Sequence, residues 1–406
     1  MSHKDFTRRT FLISSATVLA GGELLGNTYP ALAQTGMRTG DIPDLIIKEV
    51  RVYVIDGSQI AGVVTNSGIE GNYTLGGRYW HPNWSNAGWL DYAKRALIGR
   101  NALDIAKITS QWVPSERRVG QSSYASAIDN CLWDIIGKAV GLPIYKILGA
   151  YQEKVLAYAS TQHMKTVENF VDLAVECKNK GFKAYKIHPG TPQTINGYKH
   201  DIEIIKAVRE AVGDDYLLLH DPVGVYNRFE AIKVGRVLDE YNYCAYEDPI
   251  PTTDIDGYVE LRQMLDVPIH MGEFIFTIYD YMEYIRRDAV DVVRFIVDNI
   301  GGITGGMKVS HLAECCGLEV VPHNWGTIFD HAVHFHCELA APNSPFFEMT
   351  QQTRDGKSAT TVVSSPYIKD SITVAEDGYV YAPKKPGLGY EIDRDKLEDM
   401  LTRVDT

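Results

Sequence analysis

From about residue 155 the chain alternates between two patterns. Short β-branched or aromatic runs alternate with amphipathic stretches of 10 to 13 residues. The runs occupy 155–161, 184–188, 216–221, 243–248, 268–273, 292–298 and 318–324, and the helical patterns 201–212, 229–241, 256–265, 278–287, 304–316 and 329–339. Apolar strands separated by helices call for a parallel sheet covered by those helices. Seven such units exceed what most open doubly wound sheets use, and no Gly-x-Gly-x-x-Gly turn opens the first one. The expected architecture is therefore α/β, a closed (β/α)8 barrel of the TIM type, with an eighth strand near 345–349.

The flanking segments read differently. Residues 44–150 carry strand patterns near 46–55, helical patterns at 91–112 and 122–140, and a Gly/Tyr/Trp/Asn/Pro-rich stretch at 71–89 expected to be a surface loop. This is an α+β capping domain ahead of the barrel (151–360), and the tail 361–406 is expected to return to it. Residues 1–33 are set aside as a leader: Arg8-Arg9 precedes an apolar run, and Ala31-Leu32-Ala33 offers a cleavage site before Gln34. The paired arginines resemble a twin-arginine signal, so export to the periplasm is expected. No later stretch is apolar and long enough to span a membrane. The formal charge of −12 argues against a nucleic-acid partner. Six scattered cysteines, with no Cys-x-x-Cys pair, exclude a disulfide scaffold or a Cys-rich zinc site.

Three acids carry the chemistry. Asp221, Glu247 and Glu273 each end an apolar run, and successive members are separated by 26 residues. A barrel presents its strand C-termini around one rim, so this spacing places three carboxylates at one mouth. Three converging oxygens suit a hard cation such as Mg²⁺, with Mn²⁺ as a substitute. Lys186 and His188 end the second strand, and the period of two turns both side chains the same way. His323 ends the seventh strand and Glu348 lies in the eighth. Next to a divalent ion, Lys186, His188 and His323 are candidate bases. A metal chelating a carboxylate stabilises the enolate formed as the α-proton leaves.

These residues resemble the enolase superfamily, and within it the mandelate racemase and muconate lactonizing group. The likeness rests on several fragments in order: Ser126-Ala127-Ile128-Asp129 with Leu132-Trp133-Asp134, Gly181-Phe182-Lys183-Ala184-Tyr185-Lys186-Ile187-His188, the Asp221, Glu247, Glu273 series, Gly301-Gly302-Ile303-Thr304, Pro322-His323, and Pro386-Gly387-Leu388-Gly389. The resemblance implies a modified barrel closed by the cap, Mg²⁺, and an enolate intermediate. It also implies that Glu348 hydrogen-bonds the substrate carboxylate. The chain departs from the family pattern at His188, where a second Lys is usual. It departs again at Ile296, where the racemase-like branch has the Asp that orients His323, and at Val223, often Asn. Asp298, two residues beyond Ile296 and expected on the same strand face, is the candidate substitute.

The expected activity is a Mg²⁺-dependent lyase, a dehydratase or cycloisomerase, acting on a small-molecule carboxylate of the sugar-acid class. A racemase or epimerase on the same site and a non-catalytic metal-binding homologue are the alternatives. A homo-oligomer is expected. Asp248 is expected to support the ligands. Gly301–Gly306 reads as a tight strand–helix turn, His331, His334 and His336 as packed or surface residues, and Cys315-Cys316 as reduced thiols. The stretch Tyr73, Arg78, Tyr79, Trp80, His81 and Trp84 reads either as packing or as a lid that sets specificity.

Overall fold

The computed structural model describes residues 42–55, 58–75, 86–110, 121–189, 197–351 and 358–406. The leader and most of the aromatic stretch, Arg78 to Trp84, lie outside them. An antiparallel sheet comes first, from β1 (Ile47–Ile55), β2 (Ser58–Thr65) and β3 (Glu70–Leu75). Eight parallel strands then follow: β4 (Lys154–Ser160), β5 (Ala184–Ile187), β6 (Leu217–His220), β7 (Ala245–Glu247), β8 (Ile269–Met271), β9 (Val292–Val293), β10 (Glu319–Val320) and β11 (Phe346–Thr350). Each pairs with its predecessor as far as β10, and β11 pairs with β4. At the remaining joint the Val320 N–H donates to the Asn343 carbonyl at 2.9 Å. The sheet thus curls on itself as a modified TIM barrel with an N-terminal cap.

In the C-terminal segment, β12 (Val362–Val363) and β13 (Ile372–Thr373) form a ribbon, and β14 (Tyr379–Tyr381) adds antiparallel to β4. β15 (Leu401–Asp405) completes the cap sheet beside β1. No helix among the described residues is long and apolar enough to cross a membrane.

The 20-residue helix Gln121–Val140 joins cap to barrel through buried acids. Asp134 accepts the backbone N–H of Asn72 in β3 at 2.9 Å, that of Leu388 in the tail at 3.0 Å, and the Lys138 ammonium at 2.6 Å. Asp129 takes the N–H and hydroxyl of Thr304 at 2.9 and 2.6 Å, where the helix Gly302–Cys315 begins. β3 lies so close to this helix that a Cβ on Gly71 would sit 2.0 Å from the Cys131 carbonyl. Gly71→Ala must therefore push strand from helix, and is expected to cost at least about 3 kcal/mol, read as a fall in Tm. A change within about 0.5 kcal/mol would contradict this packing.

Three expectations need correction. The helix expected over 91–112 starts earlier, at Asn86, and ends at Leu97. Gly99 takes φ +78°, and Asn101 then caps a separate turn through the Leu103 N–H. Part of the loop expected over 71–89 is strand, because Gly71 and Asn72 fit β3 against the helix Gln121–Val140. Tyr73 is accordingly a core residue of β3 rather than part of a lid. The strand expected over 292–298 stops at Val293. Ile296 instead precedes a helical turn, Val297–Ile300, closed by Gly301 at φ +93°.

The lower barrel is filled by a small apolar cluster of Tyr158, Ala184, Leu219, Ala245, Val292 and Val321, with Phe346 packed on it. These are the inward positions of six strands and, at Val321, of the residue just past β10, and they set the register of the layer above.

Candidate active site

Successive side chains of a strand face opposite ways, so the next inward residue lies two positions further on. From Ala184, Leu219, Ala245, Val292, Val321 and Phe346, that step reaches Lys186, Asp221, Glu247, Arg294, His323 and Glu348. Every one of these side chains is buried. Glu273 comes two residues after Met271, just beyond β8. A charged ring therefore lies directly on an apolar plug.

The ring is connected throughout. Lys186 Nζ lies 2.9 Å from Glu247 Oε2, 2.9 Å from Glu348 Oε1 and 3.3 Å from Asp221 Oδ2. His188 Nε2 lies 2.8 Å from Asp221 Oδ2, and His323 Nε2 lies 3.0 Å from Glu273 Oε2. Arg294, which no sequence argument singled out, places Nε 2.6 Å from Glu247 Oε1 and Nη2 2.8 Å from Glu348 Oε2. Its Nη1 donates to the Tyr158 hydroxyl at 3.1 Å. The Trp325 indole N–H donates to Glu348 Oε1 at 3.2 Å. The Trp325 ring stacks on His323 and meets His188 edge-on, so one indole touches both imidazoles.

Burial and neighbours divide the protonation states. Burial works against the Lys186 charge, but Glu247 and Glu348 outweigh it and hold the ammonium well above its ordinary range. Burial works against an ionised Glu348 too, and Lys186 and Arg294 hold it well below the usual carboxylate range. Glu348 also accepts the Asn324 N–H at 3.0 Å, so it is an ionised acceptor. Burial lowers His188 to about 4, against the pull of Asp221, and leaves it neutral at pH 7. Burial and the charge of Asp221 push Glu273 up to about 7, and burial drives Glu247 well above its ordinary value.

The ligand oxygens of Asp221, Glu247 and Glu273 lie within 4.8 Å of one another, all buried. Asp221, Glu247, Glu273 and Glu348 set four carboxylates against two permanent cations, Lys186 and Arg294, leaving two negative charges when all are ionised. Burial otherwise favours the protonated forms of Glu247 and Glu273, so a cation at this point would replace protons and balance the two charges, and a donor set of oxygens alone suits a hard divalent cation. The residues fit a divalent metal ion.

The other expected residues fall into place around this ring. Asp298, on the helical turn Val297–Ile300, is turned toward the cap, where the Tyr73 hydroxyl donates to it at 2.8 Å and lies 3.1 Å from Asp330. It does not stand on a strand face with Ile296, and Ile296 is a buried apolar residue. Asp248 is buried behind Glu247 with φ +36°. Val223 takes φ +57°, a region that disfavours a β-branched residue, while its N–H donates to Asp221 Oδ1 at 2.9 Å. His331, His334 and His336 are buried in the helix Ile328–Ala340. His334 accepts the Val297 N–H at 3.0 Å and His336 that of Tyr145 at 3.1 Å. Cys315 and Cys316 are free and exposed.

Comparison with known proteins places this geometry. Residues 59–149 match the model of the mandelate racemase / muconate lactonizing enzyme N-terminal domain, and residues 169–396 the enolase C-terminal domain-like model. The chain is 34% identical to an arabinonate dehydratase of Saccharolobus solfataricus over 270 residues, 66% of this chain and 69% of the relative. It is 31% identical to a D-galactarolactone cycloisomerase of Agrobacterium fabrum over 320 residues, 75% of this chain and 81% of the relative. A crystal structure of D-glucarate dehydratase from Agrobacterium tumefaciens, complexed with magnesium, superposes with a TM-score of 0.76 at 26% identity. That match covers 89% of this chain and all of the other.

Proposed function

The chain belongs to the mandelate racemase/muconate lactonizing enzyme family of the enolase superfamily, and on that premise we propose that it is a divalent-metal-dependent lyase that dehydrates a sugar acid. One observation carries the reading: two imidazoles stand at opposite ends of the carboxylate triad. His188 is beside Asp221 of the β6 unit, and His323 is beside Glu273 of the β8 unit.

Asp221, Glu247 and Glu273 would hold the metal, which when bound supplies positive charge against the carboxylate of the enolate. His188, kept neutral by burial and with its Nε2–H turned to Asp221 Oδ2, takes the α-proton at Nδ1, the ring nitrogen left without a partner. The electron pair of that C–H bond becomes the enolate double bond. As the β-carbon–oxygen bond breaks, His323, entering the step as the imidazolium beside Glu273, gives a proton to the departing hydroxyl, which leaves as water, and His323 becomes neutral. The enol then becomes a 2-keto-3-deoxy acid. Lys186 stays an ammonium, fixing Asp221, Glu247 and Glu348, so it acts as a positioning charge rather than as the base.

The sugar-acid class is supported by relatives named as dehydratases of arabinonate and of L-talarate/galactarate. The test is incubation of the Mg²⁺-loaded protein with a panel of aldonic and aldaric acids. Formation of 2-keto-3-deoxy products is expected, and no turnover across the panel with metal bound would count against the reading. The paired imidazoles also favour a second reading, racemisation or epimerisation. That outcome would appear as solvent deuterium at the α-carbon without loss of water.

A further inference from the structure

Arg294 is the largest buried charge that the proposed chemistry leaves unused. It enters the ring from β9, and its fork spans two acids with different tasks: Glu247, of the metal triad, and Glu348, the ionised acceptor next to Lys186. The Tyr158 hydroxyl takes its remaining arm. A fork of this kind fixes two carboxylates in a common plane, which a single ammonium does not do. Without Arg294 the four carboxylates would face Lys186 alone, and the ring would carry three negative charges rather than two.

Resting on the metal-site reading above, we propose that Arg294 is a positioning residue with two separable effects. Its charge limits how tightly the triad holds a divalent cation, by matching the residual charge of the ring to that of the ion. Its geometry keeps Glu247 and Glu348 in register, so that Lys186 and Glu348 stay fixed while the α-proton moves. The charge effect appears in metal affinity, and the geometric effect in kcat.

Two variants of the full chain separate these effects. Arg294→Gln removes the charge, and calorimetric titration with Mn²⁺ is expected to give a Kd at least about tenfold lower than wild type, since a cation near the ion has gone. Arg294→Lys keeps the charge but not the fork. It is expected to bind Mn²⁺ within about threefold of wild type while kcat falls by about tenfold or more, with KM little changed. Unchanged or weaker Mn²⁺ binding by a folded Arg294→Gln protein would overturn the proposal while leaving the metal site standing. If the Gln variant does not fold, Arg294→Lys decides: full kcat, or lost Mn²⁺ affinity, overturns it. Wild-type protein that takes up no Mn²⁺ would refute the metal reading itself, and this proposal with it.

Discussion

Replacing His188 by Gln is expected to lower kcat by about 1,000- to 10,000-fold and to abolish exchange of the substrate α-hydrogen with solvent deuterium. Gln keeps a polar side chain of similar reach beside Asp221 but has no group that accepts the proton. The neutral state of His188 follows from its burial, which overrides the Asp221 carboxylate 2.8 Å away. His323→Asn is the informative partner. In the proposed division of labour His323 acts after the α-proton has gone, so His323→Asn should still exchange the α-hydrogen while water loss slows by a comparable factor. Exchange that survives in His188→Gln and disappears in His323→Asn would reverse the two assignments. In neither case should the triad lose its metal, because neither imidazole is one of the three carboxylates.

The second large effect concerns stability. Lys186 is fully buried against Asp221, Glu247 and Glu348. Lys186→Met fills much the same volume but leaves those carboxylates facing only Arg294 and the imidazoles. Removing one partner of a buried ion pair costs about 3–5 kcal/mol. The loss should depend on pH in a defined direction. Glu348 is held below the usual carboxylate range in the folded state, so it adds stability above the ordinary glutamate range that is lost as pH falls through its folded value. Much of that stabilisation comes from Lys186. The wild-type Glu348 contribution is constant between pH 5 and 8. Glu273, however, is already up at about 7 with Lys186 holding it down, so in Lys186→Met the carboxylates take up protons within that window. The gap between wild type and Lys186→Met should therefore be largest near pH 8 and narrow toward pH 5. Denaturant midpoints at the two pH values measure this, and a gap that widens toward pH 5 would contradict the assigned charges. Divalent metal should narrow the gap at pH 8 by supplying some of the missing positive charge.

Much of this site was legible because a barrel strand writes its function in steps of two. Lys186, Asp221, Glu247, His323 and Glu348 each follow an inward apolar residue by two positions, and the acids stood out as charges ending apolar runs. Arg294 obeys the same rule, two residues after Val292, yet the sequence hides it, because 292–298 has the pattern of one continuous strand with Arg294 inside it. In the fold the strand is over by Val293, so Arg294 is already at the rim. The same misreading put Asp298 on a strand face, whereas the turn Val297–Ile300 swings it to the cap and Tyr73. Tyr73 and Trp325 show a second limit. Tyr73 sits in a stretch whose Gly, Tyr and Trp content resembles a loop, and only its packing against the helix Gln121–Val140 makes it strand. Trp325 follows the seventh strand with no local pattern, and its contact with both imidazoles is set by tertiary structure alone.

The account stands on a divalent ion held by Asp221, Glu247 and Glu273, and isothermal titration of the folded full-length chain with Mg²⁺ or Mn²⁺ tests it most directly. One ion per chain is expected, with uptake lost or greatly weakened in Glu247→Gln. No uptake by the folded wild-type protein, or the same uptake by Glu247→Gln, would contradict it.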